Sequence, residues 1–165
     1  MRPIRPLILA AAFAIFVPVA FSQSHSAEKE VDAYFMFIGP NGTESDILPL
    51  KRKVSAAAPL YLAIAAMLLE PTEAEKKLGY VSAGYGGMKL DSVKLKAGWA
   101  RIDLSRPITS DHNPGDLQTL YFEDAVIKTA KQFPSVKKVT VCVNGINEFG
   151  IGLVEGRPFP CPKLK

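Results

Sequence analysis

Leu90-Asp91-Ser92-Val93-Lys94-Leu95-Lys96-Ala97-Gly98-Trp99-Ala100-Arg101-Ile102-Asp103-Leu104 is the stretch that decides the fold. Val93 and Leu95 alternate with Ser92, Lys94 and Lys96, then Ala100, Ile102 and Leu104 alternate with Arg101 and Asp103. A period of two on both sides of the Ala97-Gly98 turn predicts a β-hairpin with one buried and one wet face. A wet face leaves this hairpin only one side to bury, so its apolar side must be covered by other elements.

Those elements lie on either side. Upstream, Val31 to Ile38 is a dense apolar and aromatic run that reads as a buried strand. Gly39-Pro40-Asn41-Gly42 is a turn signal, and Asp46 to Val54 reads as a second extended segment whose Pro49 favours an edge. Ser55 is placed to cap the next helix and Pro59 suits its first turn. Leu60, Ala63, Ile64, Met67 and Leu68 then share one helical face. Glu70-Pro71 ends that helix, and Thr72 to Met88 reads as a connection, charged first and Gly-rich later. Downstream, Asp116 is placed to cap a helix running to about Phe133, stopped by Pro134. Phe122, Ala125, Val126, Thr129, Ala130 and Phe133 form its buried face. Val139, Val141 and Val143 alternate as a last core strand, stopped by Asn144-Gly145.

The order is strand, strand, helix, hairpin, helix, strand. It predicts an α+β fold: a two-layer sandwich with one antiparallel or mixed sheet and both helices on one face of it. Residues 146–165 form a Gly/Pro-rich tail, with a short strand expected around Phe149 to Val154.

The 165 residues suit one domain, and 48% apolar content is enough for a real core. Arg2 and Arg5, the apolar run Leu7 to Val17, Pro18 and Ala20-Phe21-Ser22 read as a secretory signal peptide, residues 1–22, cleaved after Ser22. The run is shorter than the ~20 apolar residues of a membrane span, so no stable span is expected after cleavage; an uncleaved anchor is the alternative. No Cys precedes Cys142, so the chain does not read as a lipoprotein. Residues 23–30 read as a flexible lead-in. The chain holds 20 Lys+Arg against 16 Asp+Glu, and loss of Arg2 and Arg5 leaves 18 against 16, which calls for no nucleic acid. The expected location is exported, periplasmic or secreted.

Chemistry-bearing residues are sparse. His112 in Asp111-His112-Asn113, with Asp111 or Asp116 as orienting partner, is the one arrangement that could serve a hydrolase, and a solvated loop is the simpler reading. No second histidine stands near it to build a metal site, and no cofactor is expected. Gly84-Tyr85-Gly86-Gly87 precedes a strand rather than a helix, so it reads as a turn, not a phosphate loop. Asn41-Gly42-Thr43 is a glycosylation sequon of low specificity. Cys142 and Cys161 are either bridged or two independent thiols. An exported chain favours the bridge, whose loop of about 20 residues would contribute roughly 3 kcal/mol. Leu120 and Ile127 point away from the buried face of their helix and could offer a partner an apolar patch, unless the tail or the 105–115 loop covers them.

Leu68-Leu69-Glu70-Pro71-Thr72 with Glu75 and Gly79, then Leu90-Asp91-Ser92-Val93 with Gly98-Trp99-Ala100-Arg101-Ile102-Asp103-Leu104-Ser105, then Gln132-Phe133-Pro134-Ser135-Val136 with Val139 and Val143-Asn144-Gly145, follow one another. In this order and spacing they resemble the GerMN domain of sporulation and spore-germination proteins, over residues 31–145. Glu70 stands where that pattern has Gly, the Gly84 to Gly87 stretch differs, and the cysteine-bearing tail is extra. The resemblance implies a non-enzymatic domain outside the cytoplasmic membrane that acts by protein–protein contact. Its partner surface is expected to include Leu120, Ile127, Lys94, Lys96, Arg101 and Asp103, its partners being envelope proteins. A peptidoglycan- or wall-polymer-binding protein, with Tyr80, Tyr85 and Trp99 as contacts, is the alternative. A wall hydrolase using Asp111, His112 and Asp116 comes third.

Overall fold

In a computed structural model, residues 27–42, 45–85, 87–107, 116–147 and 159–164 are described. The leader, the sequon's Thr43, His25, Asp111, His112 and the strand expected around Phe149 to Val154 lie outside them, as does the Asp116 side chain.

The first apolar run forms β1 (Glu28–Ile38), three residues longer at its start than the apolar pattern alone suggests. It pairs antiparallel with β2 (Ser45–Ser55) through the Gly39–Gly42 turn. β2 is an edge strand, as its Pro49 requires. Helix α1 (Pro59–Met67) has Pro59 in its first turn, but its N-cap is Ala58, with no side-chain cap. The Ser55 hydroxyl accepts instead from the Ala57 N–H, 3.3 Å away, one turn too early to close the helix end.

The expected connection after Glu70-Pro71 contains two elements. Helix α2 (Glu73–Lys77) opens with a reciprocal capping box between Thr72 and Glu75, and β3 (Tyr80–Val81) adds to the free side of β1. Gly79 joins them at φ +101°, and a Cβ there would stand 2.5 Å from the Ile38 carbonyl oxygen. Only glycine fits that approach.

The hairpin forms as expected: β4 (Lys89–Lys96) and β5 (Trp99–Ser105) turn through Ala97 and Gly98, both at positive φ. Helix α3 (Asp116–Lys131) returns the chain so that β6 (Lys138–Val143) pairs parallel to β5. Asn144-Gly145 then reverses it into β7 (Ile146–Asn147), which pairs with β8 (Phe159–Pro160) from the tail.

The α+β class stands, but the strands form two sheets rather than one: β2-β1-β3 and β4-β5-β6-β7-β8. The cause is visible at the free side of β1. There the Asp32 N–H donates to Gln132 Oε1 (2.8 Å) and the Tyr34 N–H donates to Thr129 Oγ1 (3.1 Å). Gln132 Nε2 donates back to the Asp32 carbonyl (2.6 Å). Side chains of α3 and the turn after it therefore occupy the positions another strand would need.

Helices α1 and α3 pack on each other and on β1, and each reaches the second sheet as well, α1 at β4 and α3 at β6. The shared core takes Val31, Ala33 and Phe35 from β1, Ile64 and Met67 from α1, Ile102 and Leu104 from β5, Phe122 and Val126 from α3, and Val143 from β6. Among the described residues, no helix is long and apolar enough to cross a membrane.

Candidate interaction surface

The outward face of the second sheet is set by its register. Lys96, Trp99 and Lys138 lie in one row across β4, β5 and β6; Lys94, Arg101 and Thr140 form the next; Ser92, Asp103 and Cys142 form the third. In the first row the Trp99 indole N–H donates to Thr140 Oγ1 at 2.9 Å, and the Lys138 ammonium sits 4.2 Å from the indole centroid. That cation–π contact holds the ring against the sheet.

Arg101 and Asp103 are not free for a partner. Arg101 Nε and Nη2 both stand 2.7 Å from Asp103 Oδ1, and Ser92 Oγ donates to Asp103 Oδ2 at 2.9 Å. The remaining Arg101 Nη1 donates to the Pro162 carbonyl at 2.9 Å, so the tail lies over this pair. Cys142 and Cys161 are bonded, with Cα atoms 6.0 Å apart, and the Cys161 N–H donates to the Gly145 carbonyl. Tail, sheet and ion pair form one cross-linked cluster. Lys94 and Lys96 remain exposed.

On α3, Leu120 is 52% exposed and Ile127 is half-buried. The structure adds Leu117, 61% exposed and one turn before Leu120. The same spacing that singled out Leu120 and Ile127 reaches Leu117 when extended one step toward the N-terminus.

Of the three aromatics considered for a wall polymer, Tyr85 is buried against Phe122, ring centroids 5.6 Å apart, with the Arg106 guanidinium 5.6 Å from its ring centroid. Tyr85 thus turns inward and fills part of the core. Tyr80 is half-buried edge-on to Phe37, and Trp99 is held as described. The stretch around Gly84 runs into β4 and not into a helix; Tyr85 borders a concavity of about 180 Å³ with Leu68, Glu70, Ser82 and Met88. Among the described residues no three His, Cys, Asp or Glu side chains converge as a metal site.

Sequence reading missed one polar cluster. Glu75 receives both Arg52 terminal nitrogens (2.7 and 2.9 Å) and the Thr72 N–H (2.8 Å). The Arg52 guanidinium, reinforced by Thr72, holds the Glu75 carboxyl down to about 2. This cluster fixes α2 against β2. Its signal was the Thr72-x-x-Glu75 spacing of a capping box.

Two sheets sharing helices α1 and α3, with a glycine-closed α2–β3 connection and a parallel β5–β6 pair, define an α+β domain of the GerMN type. The chain belongs to the Germane family, described as sporulation and spore germination, whose model matches residues 32–148. It is similar to the tandem GerMN domains of the sporulation protein GerM from Bacillus subtilis, at 20% identity and a TM-score of 0.56. That match covers 88% of this chain and 50% of the tandem chain, so this chain spans half its length. It is also similar to the first GerMN domain of the same protein, at 23% identity and a TM-score of 0.50, covering 78% of this chain and 93% of that one. No curated protein sequence matches.

Proposed function

We propose that this chain is an exported GerMN domain that works without catalysis, as an assembly or adaptor module held by protein–protein contact in the cell envelope. The observation that carries it is the apolar pair Leu117 and Leu120, both more than half exposed on successive turns of α3. Contiguous exposed leucines cost solubility and are kept where a partner covers them. The bonded Cys142 and Cys161 support an oxidising compartment, in keeping with the leader-like residues 1–22. The relatives' description as sporulation proteins suggests the setting.

The test is a crosslinking pull-down from the native envelope with the wild-type chain and a Leu117→Asp/Leu120→Asp variant, with purified cell wall sedimented in parallel. A defined envelope protein should be captured by the first and lost by the second. Circular dichroism and Tm of the variant should be unchanged. Sedimentation with wall and no protein partner would sink the adaptor reading in favour of polymer binding. Muropeptide cleavage abolished by His112→Ala would sink it in favour of an enzyme.

A further inference from the structure

The outer edge of β4 is open. β4 is the terminal strand of its sheet, eight residues long, and pairs only with β5. Among the described residues, its outward backbone groups have no hydrogen-bond partner. An unpaired edge is a template for another strand unless something blocks it. Three features say which strand it would accept.

The first is charge. Lys89, Lys94 and Lys96 are exposed along β4. Among the described residues none of them enters an ion pair. The other edge strand, β2, differs: its Lys51 is bound to Asp32 at 2.8 Å and its Arg52 to Glu75 at 2.7 Å. Its Pro49 also removes a donor. The edge of β2 is blunted by Pro49, and two of its three cations are paired, only the exposed Lys53 being without an ion pair among the described residues, whereas none of the three β4 lysines is paired. The second feature is the neighbouring face. Lys138 adds a fourth cation in the same row as Lys96, over the Trp99 ring, and the carboxylate of Asp103 on that face is neutralised by Arg101. The single carboxylate of β4, Asp91, lies at the bulged far end and is bonded by the Ser105 hydroxyl. The third is Leu95, 42% exposed between Lys94 and Lys96, which gives an incoming strand an apolar contact. A second copy of β4 is a poor occupant, because pairing would line up three lysines of each copy along one seam.

We infer that the β4 edge is a docking site for an extended, acidic segment of a partner protein, which adds as a strand beside Lys94 and Lys96. Main-chain pairing would supply affinity, and carboxylates facing the lysines would supply selection and rate. This rests on the protein-contact reading above and names the chemistry of the partner.

The experiment titrates the chain with a labelled peptide of about ten residues alternating Glu and Val, long enough to span β4. Three controls accompany it: the Lys/Val counterpart, the Glu/Val peptide with alternate backbone nitrogens methylated, and polyphosphate. The Glu/Val peptide should bind, protect β4 amides from exchange, and weaken as salt rises. The Lys/Val peptide should not bind. Lys94→Glu/Lys96→Glu should weaken the Glu/Val peptide at least about tenfold, and backbone methylation should weaken it comparably. Both lysines are exposed, and an unchanged Tm confirms that the variant is folded. Failure of the Glu/Val peptide, or equal binding of the methylated peptide or of polyphosphate, overturns strand docking. If an envelope protein is still captured while the peptide fails, only this inference falls; if none is captured, the adaptor reading falls with it.

Discussion

Each of the two sheets has one side sealed, and the two seals differ in chemistry. At β1 the seal is polar and non-covalent: Thr129 and Gln132 satisfy the backbone that β3 leaves unpaired. At the far side of the second sheet the seal is covalent: the Cys142–Cys161 bond and the Arg101–Pro162 contact hold the tail beside β6 and β7. The first seal depends on α3 being packed, so it forms and fails with the core. The second depends on the redox state of its surroundings. One molecule thus carries a closure that belongs to folding and a closure that belongs to the compartment.

The largest effect should come from breaking the covalent seal. The bond links residues 19 apart, and in the chain-entropy model its loss costs about 3 kcal/mol. Cys161→Ser, or reduction of the wild-type chain, should lower Tm. It should also free the Pro162 carbonyl from Arg101, seen as faster amide exchange at Cys161 and in β7. The amides of Asp32 and Tyr34 should keep their protection until global unfolding. If they lose it together with the tail, the two seals are one cooperative unit and the contrast between them fails.

A smaller effect is expected at the polar seal. Thr129→Val keeps shape and removes the acceptor for the Tyr34 N–H at a fully buried side chain. An orphaned buried donor costs about 1–3 kcal/mol. Denaturant unfolding should show that loss, with native-state exchange rising first at Tyr34. Unchanged stability would mean that water replaces the hydroxyl and that the sheet boundary is set by packing alone.

The parts that were legible in the sequence are those with a periodic apolar pattern. The hairpin, both long helices, the β1 run and the last strand follow from periods of two and 3.6, because burial of one face selects them. The buried face of α3 comprises Phe122, Ala125, Val126, Thr129 and Ala130, as the spacing says, while Phe133, also buried, stands in the turn after the helix ends at Lys131. Helix α2 was not legible by that route because none of its residues is buried. Only its cap chemistry marks it. The split into two sheets was hidden for a different reason. It turns on Gln132 and Thr129 reaching backbone about a hundred residues away, and no local pattern encodes such a contact. At the candidate surface, Lys94, Lys96 and Leu120 stand exposed as read, whereas Arg101 and Asp103 are turned to each other and to the tail. Alternation assigns a face but not whether a charge finds its partner there.

The smallest effect sharpens the comparison from the side of pH. Glu75 ties α2 to β2: Arg52 holds its carboxyl near 2, well below an ordinary glutamate at 4.5. The native state therefore binds fewer protons than the unfolded chain between those values, and stability rises with pH across them. Above about pH 4.5 the contribution is complete. As pH falls it is lost progressively, and it is gone once Glu75 protonates in the folded state near 2. The pair is only partly buried, so screening keeps its worth to about 1 kcal/mol. Glu75→Gln should lower stability by about that amount at pH 7 and by progressively less toward pH 2, so that the two unfolding curves converge in acid. The disulfide has no such pH dependence in the oxidised chain, and Cys161→Ser should shift stability by the same amount at pH 7 and pH 3. A Glu75→Gln difference that stayed constant down to pH 2 would show that the glutamate contributes through its cap on α2 rather than through its charge.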